Sequence, residues 1–298
     1  MSPTRIVCAG IATLDLVYAV EAMPVEAVKY RARDLAISGG GLAGNAAVAA
    51  ARLGARVALL TRLGDDLPGK AILDDLEAEG IDCSRIIRVP GGRSPVSAVM
   101  VDPAGERLVV SYSDNATLGD AADLPEGLLT GADACYAETR WIAAALRLLP
   151  QARAAGIPSV LDADREPSDP TVLDLASHVG FSAPALRELT GTEDLAKALA
   201  AASRHRANVL LVTDGARGAW FMEDGRVHHE PAFPISAVDT LGAGDTWHGA
   251  LAVALAEGQP LGRAVRFANG AAALKCMTFG GRKGMPTRAA LDALLAGA

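Results

Sequence analysis

Large aromatic rings are scarce in this chain. Three Trp, four Tyr and five Phe make up 4 % of 298 residues, although half of the residues are apolar. A core with few rings must be filled by small and branched side chains, a composition that suits helices packed on a sheet. Cysteine is also sparse. Cys8, Cys83, Cys135 and Cys276 are scattered and lack metal-ligand spacing. They read as free thiols of a reducing cytosol rather than as a zinc site or a disulfide framework. No apolar run reaches about 18 residues, so no membrane-spanning helix is expected. Positive charge is in deficit, with 28 Lys and Arg against 35 Asp and Glu and a net charge of −7. That balance argues against non-specific nucleic-acid binding and leaves room for a local basic pocket. Met1-Ser2-Pro3-Thr4-Arg5 leads directly into an apolar strand and is too short for a secretory leader. A cytoplasmic protein is expected. No internal repeat, low-complexity tract or linker interrupts the chain, which reads as a single domain over 1–298.

What is present is an alternation of strand and helix. Strands are expected at Arg5–Ala9, 56–63, 133–137, 158–162 and Val209–Thr213. Helices are expected at 44–53, 68–79 and 141–155, ended by Gly54, Gly80 and Gly156, and at Ala243–Ala256 and 261–277. Repeated βα units with glycine stops imply a mostly parallel sheet covered by helices on both faces. Two stretches break the rhythm. The segment 15–37 holds an extended run and then a polar one. The segment 94–113 has hairpin patterning around Asp102-Pro103-Ala104-Gly105. Together they read as a small accessory sheet forming a lid.

Asp239-Thr240-Leu241-Gly242-Ala243-Gly244-Asp245 is the strongest motif. Its two glycines let backbone approach a bulky anion, and the helix that follows offers free N–H groups and a positive dipole end. A carboxylate at the mouth of an anion site is electrostatically odd unless it removes a proton. Phosphate site plus carboxylate base is what transfer to a sugar hydroxyl requires; a helix capped by an ordinary Asp is the plain alternative. A second constellation, Ser38-Gly39-Gly40-Gly41-Leu42-Ala43-Gly44-Asn45, brings glycines to a helix entrance with an Asn that both donates and accepts. A third, Val212-Thr213-Asp214-Gly215-Ala216-Arg217-Gly218, ends a strand in a turn. The 63–69 stretch, Leu63-Gly64-Asp65-Asp66-Leu67-Pro68-Gly69, reads as turn and cap chemistry.

The heptapeptide resembles the D-T-x-G-A-G-D signature of the PfkB (ribokinase-like) carbohydrate kinases. The resemblance implies a ribokinase-like three-layer α/β sandwich with a mostly parallel sheet and a small β-sheet lid. It implies ATP and Mg²⁺ as cofactors, with a monovalent cation as a further candidate, and a homodimer formed through the lid. By the same resemblance Asp245 is the catalytic base, and Gly242, Ala243 and Gly244 form the anion hole. Gly40, Gly41 and Asn45 contact sugar hydroxyls, joined by Asp15 at the end of the first strand. Thr213, Gly215 and Gly218 lie beside the nucleotide. The helix face carrying Asn269, Ala272 and Ala273 lies against adenine.

One departure concerns metal. The N-x-x-E motif of many relatives falls on Ser182 and Ala185, with Glu188 out of register, so the Mg²⁺ ligands stay open. The whole chain resembles the bacterial sulfofructose kinases of that family. Their sulfonate-binding basic pair corresponds to Lys29 and Arg140, while an Asn-type contact corresponds to Ser111. The implied acceptor is a ketose such as 6-deoxy-6-sulfofructose, with another sugar (fructose, ribose or an acidic ketose) as the alternative. A sugar or nucleotide sensor without turnover is the alternative from another functional class.

Overall fold

The computed structural model describes residues 3–297 apart from 123, 125 and 205, so Met1, Ser2 and Ala298, at the ends of the expected domain, lie outside the described residues. In chain order the strands are β1 (Arg5–Ala9), β2 (Thr13–Ala19), β3 (Asp34–Gly40), β4 (Arg56–Leu60), β5 (Arg62–Gly64), β6 (Ile87–Val89) and β7 (Val96–Val101). They continue as β8 (Arg107–Tyr112), β9 (Ala134–Glu138), β10 (Ser159–Ala163), β11 (His178–Ser182), β12 (Val209–Thr213), β13 (Ala219–Glu223) and β14 (Arg226–Glu230). The helices are α1 (Leu42–Arg52), α2 (Leu67–Ala78), α3 (Asn115–Leu118), α4 (Ile142–Ala155), α5 (Ala183–Thr190), α6 (Leu195–Ser203), α7 (Ala243–Ala256), α8 (Leu261–Lys275) and α9 (Arg288–Ala296).

The main sheet has the order β14-β13-β12-β11-β10-β9-β1-β4. Its pairings from β4 to β12 are parallel, and β13 and β14 join antiparallel. Side chains of period two explain the layers. Ile6, Cys8, Tyr136, Val160 and Leu211 face one cluster with α1, α7 and α8. Val7, Ala9, Cys135, Ala137, Leu161, Leu210 and Val212 face the other, with α4, α5 and α6. Both faces are therefore apolar, as a parallel sheet requires. The scarcity of rings has a packing counterpart: Ala43, Ala46, Ala47 and Ala50 of α1 and Ala250 of α7 are fully buried in one cluster. At Gly249 the helices are so close that a Cβ would overlap the Ala46 carbonyl.

A separate four-stranded sheet, β3-β2-β7-β8, is built from the two expected lid segments. Val17, Ala36, Val99 and Val101 form its small core, against Leu241 and Phe279. Residues 20–33 form no strand. Asp102 turns the β7–β8 hairpin by accepting from the Ala104 and Glu106 amides at 2.9 and 3.0 Å.

Several expectations need correction. Asp15 lies within β2 of the small sheet, not at the end of the first strand. The expected strand 56–63 is two strands, because β4 joins the main sheet while β5 pairs with β6. The last long helix stops at Lys275, with Cys276 as its cap. The strands β11, β13 and β14 were not anticipated. His178, Gly180 and Ser182 weaken the strand pattern of β11. The β13–β14 hairpin has Asp224 and Gly225 at φ 50 and 72, the Asp-Gly turn signature that sequence offers and that went unread. All four cysteines are free thiols, Cys83 less buried than the others. No described helix is long and apolar enough to cross a membrane.

The tight α1–α7 crossing gives a stability prediction. Gly249→Ala should cost about 1–3 kcal/mol by overpacking. At Gly262 a Cβ would meet only the Phe221 ring, at 3.7 Å, so Gly262→Ala should be neutral or stabilising by up to about 1 kcal/mol. Urea unfolding midpoints of the two variants compare them directly; equal costs would mean the crossing tolerates a methyl.

Candidate active site

The glycine run at the β3–α1 junction makes room for the chain's own side chains. A Cβ on Gly39 would overlap the Arg282 guanidinium and one on Gly40 the Asp15 carboxylate. At Gly44 a Cβ would stand 2.5 Å from Arg282 Nη2. Gly41 has φ +80, which favours glycine, and a Cβ there would lie 2.6 Å from the Ile11 carbonyl. Close approach was expected from the sequence. What approaches Gly39, Gly40 and Gly44 in the structure is Asp15 and Arg282.

Arg282 is fully buried. It donates from Nε to Asn45 Oδ1 at 2.9 Å and from Nη2 to the Gly40 carbonyl at 2.9 Å, and it pairs closely with Asp75. Asn45 Nδ2 in turn donates to Asp245 Oδ2 at 2.7 Å. An arginine carries only donors, so the Asn45 oxygen must face it and the amide nitrogen must face the carboxylate. The chain Asp75–Arg282–Asn45–Asp245 thus fixes one rotamer of Asn45 and holds Asp245 at the first turn of α7.

Burial raises the pKa of Asp245; the Asn45 bond and His248 oppose the shift, and Asp164 adds to it. Behind it lies a buried polar group. His248 Nδ1 stands 2.9 Å from the Gly244 carbonyl and 3.2 Å from Asp162 Oδ2, and its Nε2 lies 3.1 Å from the Gly180 carbonyl. Tyr136 donates its hydroxyl to Asp162 at 3.1 Å. Burial pushes Asp162 well above the usual carboxylate range, with Asp245 and Asp164 adding repulsion. Glu138 accepts from the Ile11, Trp141 and Arg140 amides, and burial raises it to about 7.

The α7 N-terminus starts at Gly242, in the left-handed region at φ 76. The Ala243 amide bends back to the Thr240 carbonyl at 3.2 Å, whereas the amides of Gly242 and Gly244 find no acceptor among the described residues. Two cavities are lined by residues of this turn. One, of about 430 Å³, lies under the small sheet and is lined by Asp15, Gly41, Asn45, Ser97, Ser111, Arg140, Arg165 and Asp245. Asp15 is buried there, accepts from Thr13 Oγ1 at 2.7 Å, and has its pKa raised by that burial. The other, of about 680 Å³, is lined by Thr213, Gly215, Phe233, Thr240, Ala243, Gly244, Asn269, Ala272, Ala273 and Cys276. Asp245 stands at the first and Ala243–Gly244 at the second, one helical turn shared by both.

Not every expected residue is at a cavity. Gly218, at φ 89, closes a turn in which a Cβ would overlap the Glu230 carbonyl; it lines neither space. Lys29 sits exposed in the 20–33 segment, and it too lines neither cavity. Asn269 lines the larger cavity, but its side chain is committed to Trp247 Nε1 at 2.8 Å and to the Glu230 and Pro231 carbonyls. Arg140 is at the smaller cavity, with its guanidinium closed on Asp164. Sequence reasoning missed Arg107, whose Nη1 reaches from β8 to the Thr240 carbonyl at 2.8 Å, and Arg165. It also missed the role of Arg282. Only His248 had a local signal, lying four residues after Gly244 on the same helix face.

Mg²⁺ takes hard oxygen ligands. No three His, Cys, Asp or Glu side chains among the described residues gather as a cage. Ser182, in place of the motif Asn, spends its hydroxyl on the Asp164 carbonyl and the Ala185 amide. A small, strongly hydrated cation carried on phosphate oxygens needs no such cage.

Residues 3–288 match the profile described as pfkB family carbohydrate kinase. A ribokinase of Bacillus subtilis is 30 % identical over 295 residues, 96 % of this chain and 97 % of that protein. Mouse ketohexokinase is 27 % identical over 93 % of this chain and 97 % of its own length. Among solved structures, a ribokinase candidate from Agrobacterium tumefaciens superposes with a TM-score of 0.96 at 37 % identity, covering 99 % of this chain and 98 % of that one. Arabidopsis thaliana ribokinase complexed with ribose and ATP superposes with a TM-score of 0.82 at 25 % identity, covering 99 % of both.

Replacing Arg282 by Met removes the donors to Asn45 and Gly40 and unpairs Asp75. The expected loss of stability is roughly 3 kcal/mol, measured by chemical denaturation. A loss below about 1 kcal/mol, the worth of an exposed pair, would show that the buried guanidinium does not organise this region.

Proposed function

This chain belongs to the pfkB family of carbohydrate kinases, and from that premise we propose that its acceptor is a ketose with an anionic distal group, 6-deoxy-6-sulfofructose first among them. The protein is an ATP-dependent sugar kinase with a ribokinase-like fold. Two cavities lined by neighbouring residues of one turn, Asp245 at the smaller and Ala243–Gly244 at the larger, are the observation that carries the mechanism. In this reading the sugar lies in the smaller cavity, with hydroxyls on Asp15, Asn45 and the Gly41 backbone; Gly40, expected beside them, lines neither cavity and gives its carbonyl to Arg282. ATP lies in the larger, its adenine beside Ala272 and Ala273 and its phosphates running past Thr213 and Gly215 to the α7 N-terminus.

Asp245 takes the proton of the acceptor hydroxyl as that oxygen bonds to the γ-phosphorus. The bond from phosphorus to the bridging oxygen breaks, and ADP leaves. The free amides of Gly242 and Gly244, at the positive end of α7, receive the charge on the transferred group. A Cβ on Gly244 would meet no protein atom, so the fold itself does not demand that glycine; a closely held phosphate does. Arg107 is near enough to add positive charge at the same turn. Mg²⁺ bound with ATP supplies neutralisation of the phosphate oxygens.

The anionic preference rests on Arg140 and Arg165, two arginines that line the smaller cavity. Lys29 does not support it within a single chain. A second reading has its own observation. Arg140 is already paired with Asp164, which suits a neutral acceptor, and the relatives include ribokinases and a ketohexokinase.

We also propose a homodimer through the small sheet. Its edge strands expose Leu35 and Ile37 on β3, and Leu108, Val109, Val110 and Tyr112 on β8. An apolar edge of this kind is a template for pairing.

Asp245→Asn should lower kcat by about 10²–10⁴-fold while leaving ATP affinity nearly unchanged. Because burial raises the Asp245 pKa and the base works only when deprotonated, the acid limb of kcat/KM should lie above the ordinary aspartate range. Near-wild-type turnover of Asp245→Asn would remove it as the base. Arg140→Ala should raise KM for sulfofructose by about tenfold or more and hardly alter KM for fructose; equal losses on both sugars would make Arg140 structural. Light scattering should give the mass of two chains, and Val110→Asp should give one; a monomeric wild type ends the dimer proposal.

A further inference from the structure

Lys275 ends α8 with its side chain fully buried. Ammonium groups are rarely buried without a partner, because desolvation is costly. Here Nζ donates to the Asp239 carbonyl at 2.7 Å and lies 3.5 Å from Asp239 Oδ1. Burial lowers the Lys275 pKa and Asp239 opposes that shift. Asp239 is itself buried and saturated. Its carboxylate accepts from the Leu241 amide at 2.8 Å and from the Gly280 and Gly281 amides at 3.0 Å each. Its own amide donates to the Cys276 carbonyl at 3.1 Å.

This node joins three segments. They are the end of α8, the 280–281 turn that delivers Arg282, and the 239–241 stretch that enters the Gly242–Gly244 turn. A monovalent cation, which the family resemblance brings as a candidate, would require carboxylate and carbonyl oxygens of this kind. At the root of the turn they are already taken by an ammonium. The chain's donor set therefore does not fit such an ion there.

We propose that Lys275 is a built-in monovalent cation: its ammonium sets the shape of the 239–244 turn, so that nucleotide binding needs no potassium or sodium. The inference rests on the kinase reading for what the turn holds. Lys275 touches no substrate and is a positioning residue.

The test uses the full chain at constant ionic strength in choline, sodium, potassium and ammonium chloride. ADP affinity is measured by calorimetry and unfolding by thermal melts without nucleotide. Wild-type ADP affinity should vary by less than about twofold among the salts. Lys275→Ala opens the space; its affinity should fall about tenfold in choline and recover in potassium or ammonium. Potassium should raise its melting temperature by about 2–4 °C and leave the wild type unmoved. Lys275→Met fills the space without charge, so its affinity should stay low in every salt. Three results overturn the proposal: a wild type that binds ADP more tightly in potassium than in choline, a methionine variant that binds ADP as the wild type does, or an alanine variant that no cation rescues. The wild-type and methionine arms stand even where the alanine variant does not fold. Wild type that binds no ADP in any salt would count against the kinase reading instead, and the melts would still decide the role of the lysine.

Discussion

The donor-only chemistry of one buried arginine organises this molecule. Arg282 offers only N–H groups, so Asn45 must accept from it with Oδ1 and present Nδ2 to Asp245. One guanidinium, contributed by a short turn after α8, orients a side chain on α1 and through it a carboxylate on α7. Residues separated by more than 200 positions in sequence become one rigid unit. The glycines at 39, 40 and 44 are the steric condition for that unit, since any side chain there would displace Arg282 or Asp15. Lys275 and Asp239 hold the same turn from the other side.

The electrostatic setting follows from the layers. The C-terminal ends of β9 and β10, in the middle of the main sheet, deliver Glu138, Asp162 and Asp164 beneath the α7 N-terminus. Packed in an apolar surround, Glu138 and Asp162 are pushed upward together with Asp245. An acidic environment that keeps a base from being too weak, beside amides that favour an anion, suits a proton acceptor next to a phosphate. The small sheet adds Asp15 and Arg107 from above, so the site is complete only when both sheets are in place.

Small residues make that convergence possible. Ala-rich helices bring α1, α7 and α8 close enough for side chains of one to serve another. The scarcity of rings, visible at once in the composition, and the overlap that a methyl at Gly249 would create are two views of the same packing.

By itself the sequence determined the layered α/β architecture, through strand alternation and glycine stops, and the helix that opens at Gly242-Ala243-Gly244-Asp245. Those are local facts of backbone conformation and period, and they need no partner to be read. The pair of lid segments was equally legible, because a hairpin announces itself through its turn. Only the tertiary structure decided which polar groups meet. It left Gly218 and Lys29 away from both cavities and closed Arg140 on Asp164. It recruited Arg107, Arg165, Arg282 and Lys275, none of which has a local pattern that marks it. A charged side chain's partner is set by where distant elements cross, and one helix period carries no information about that.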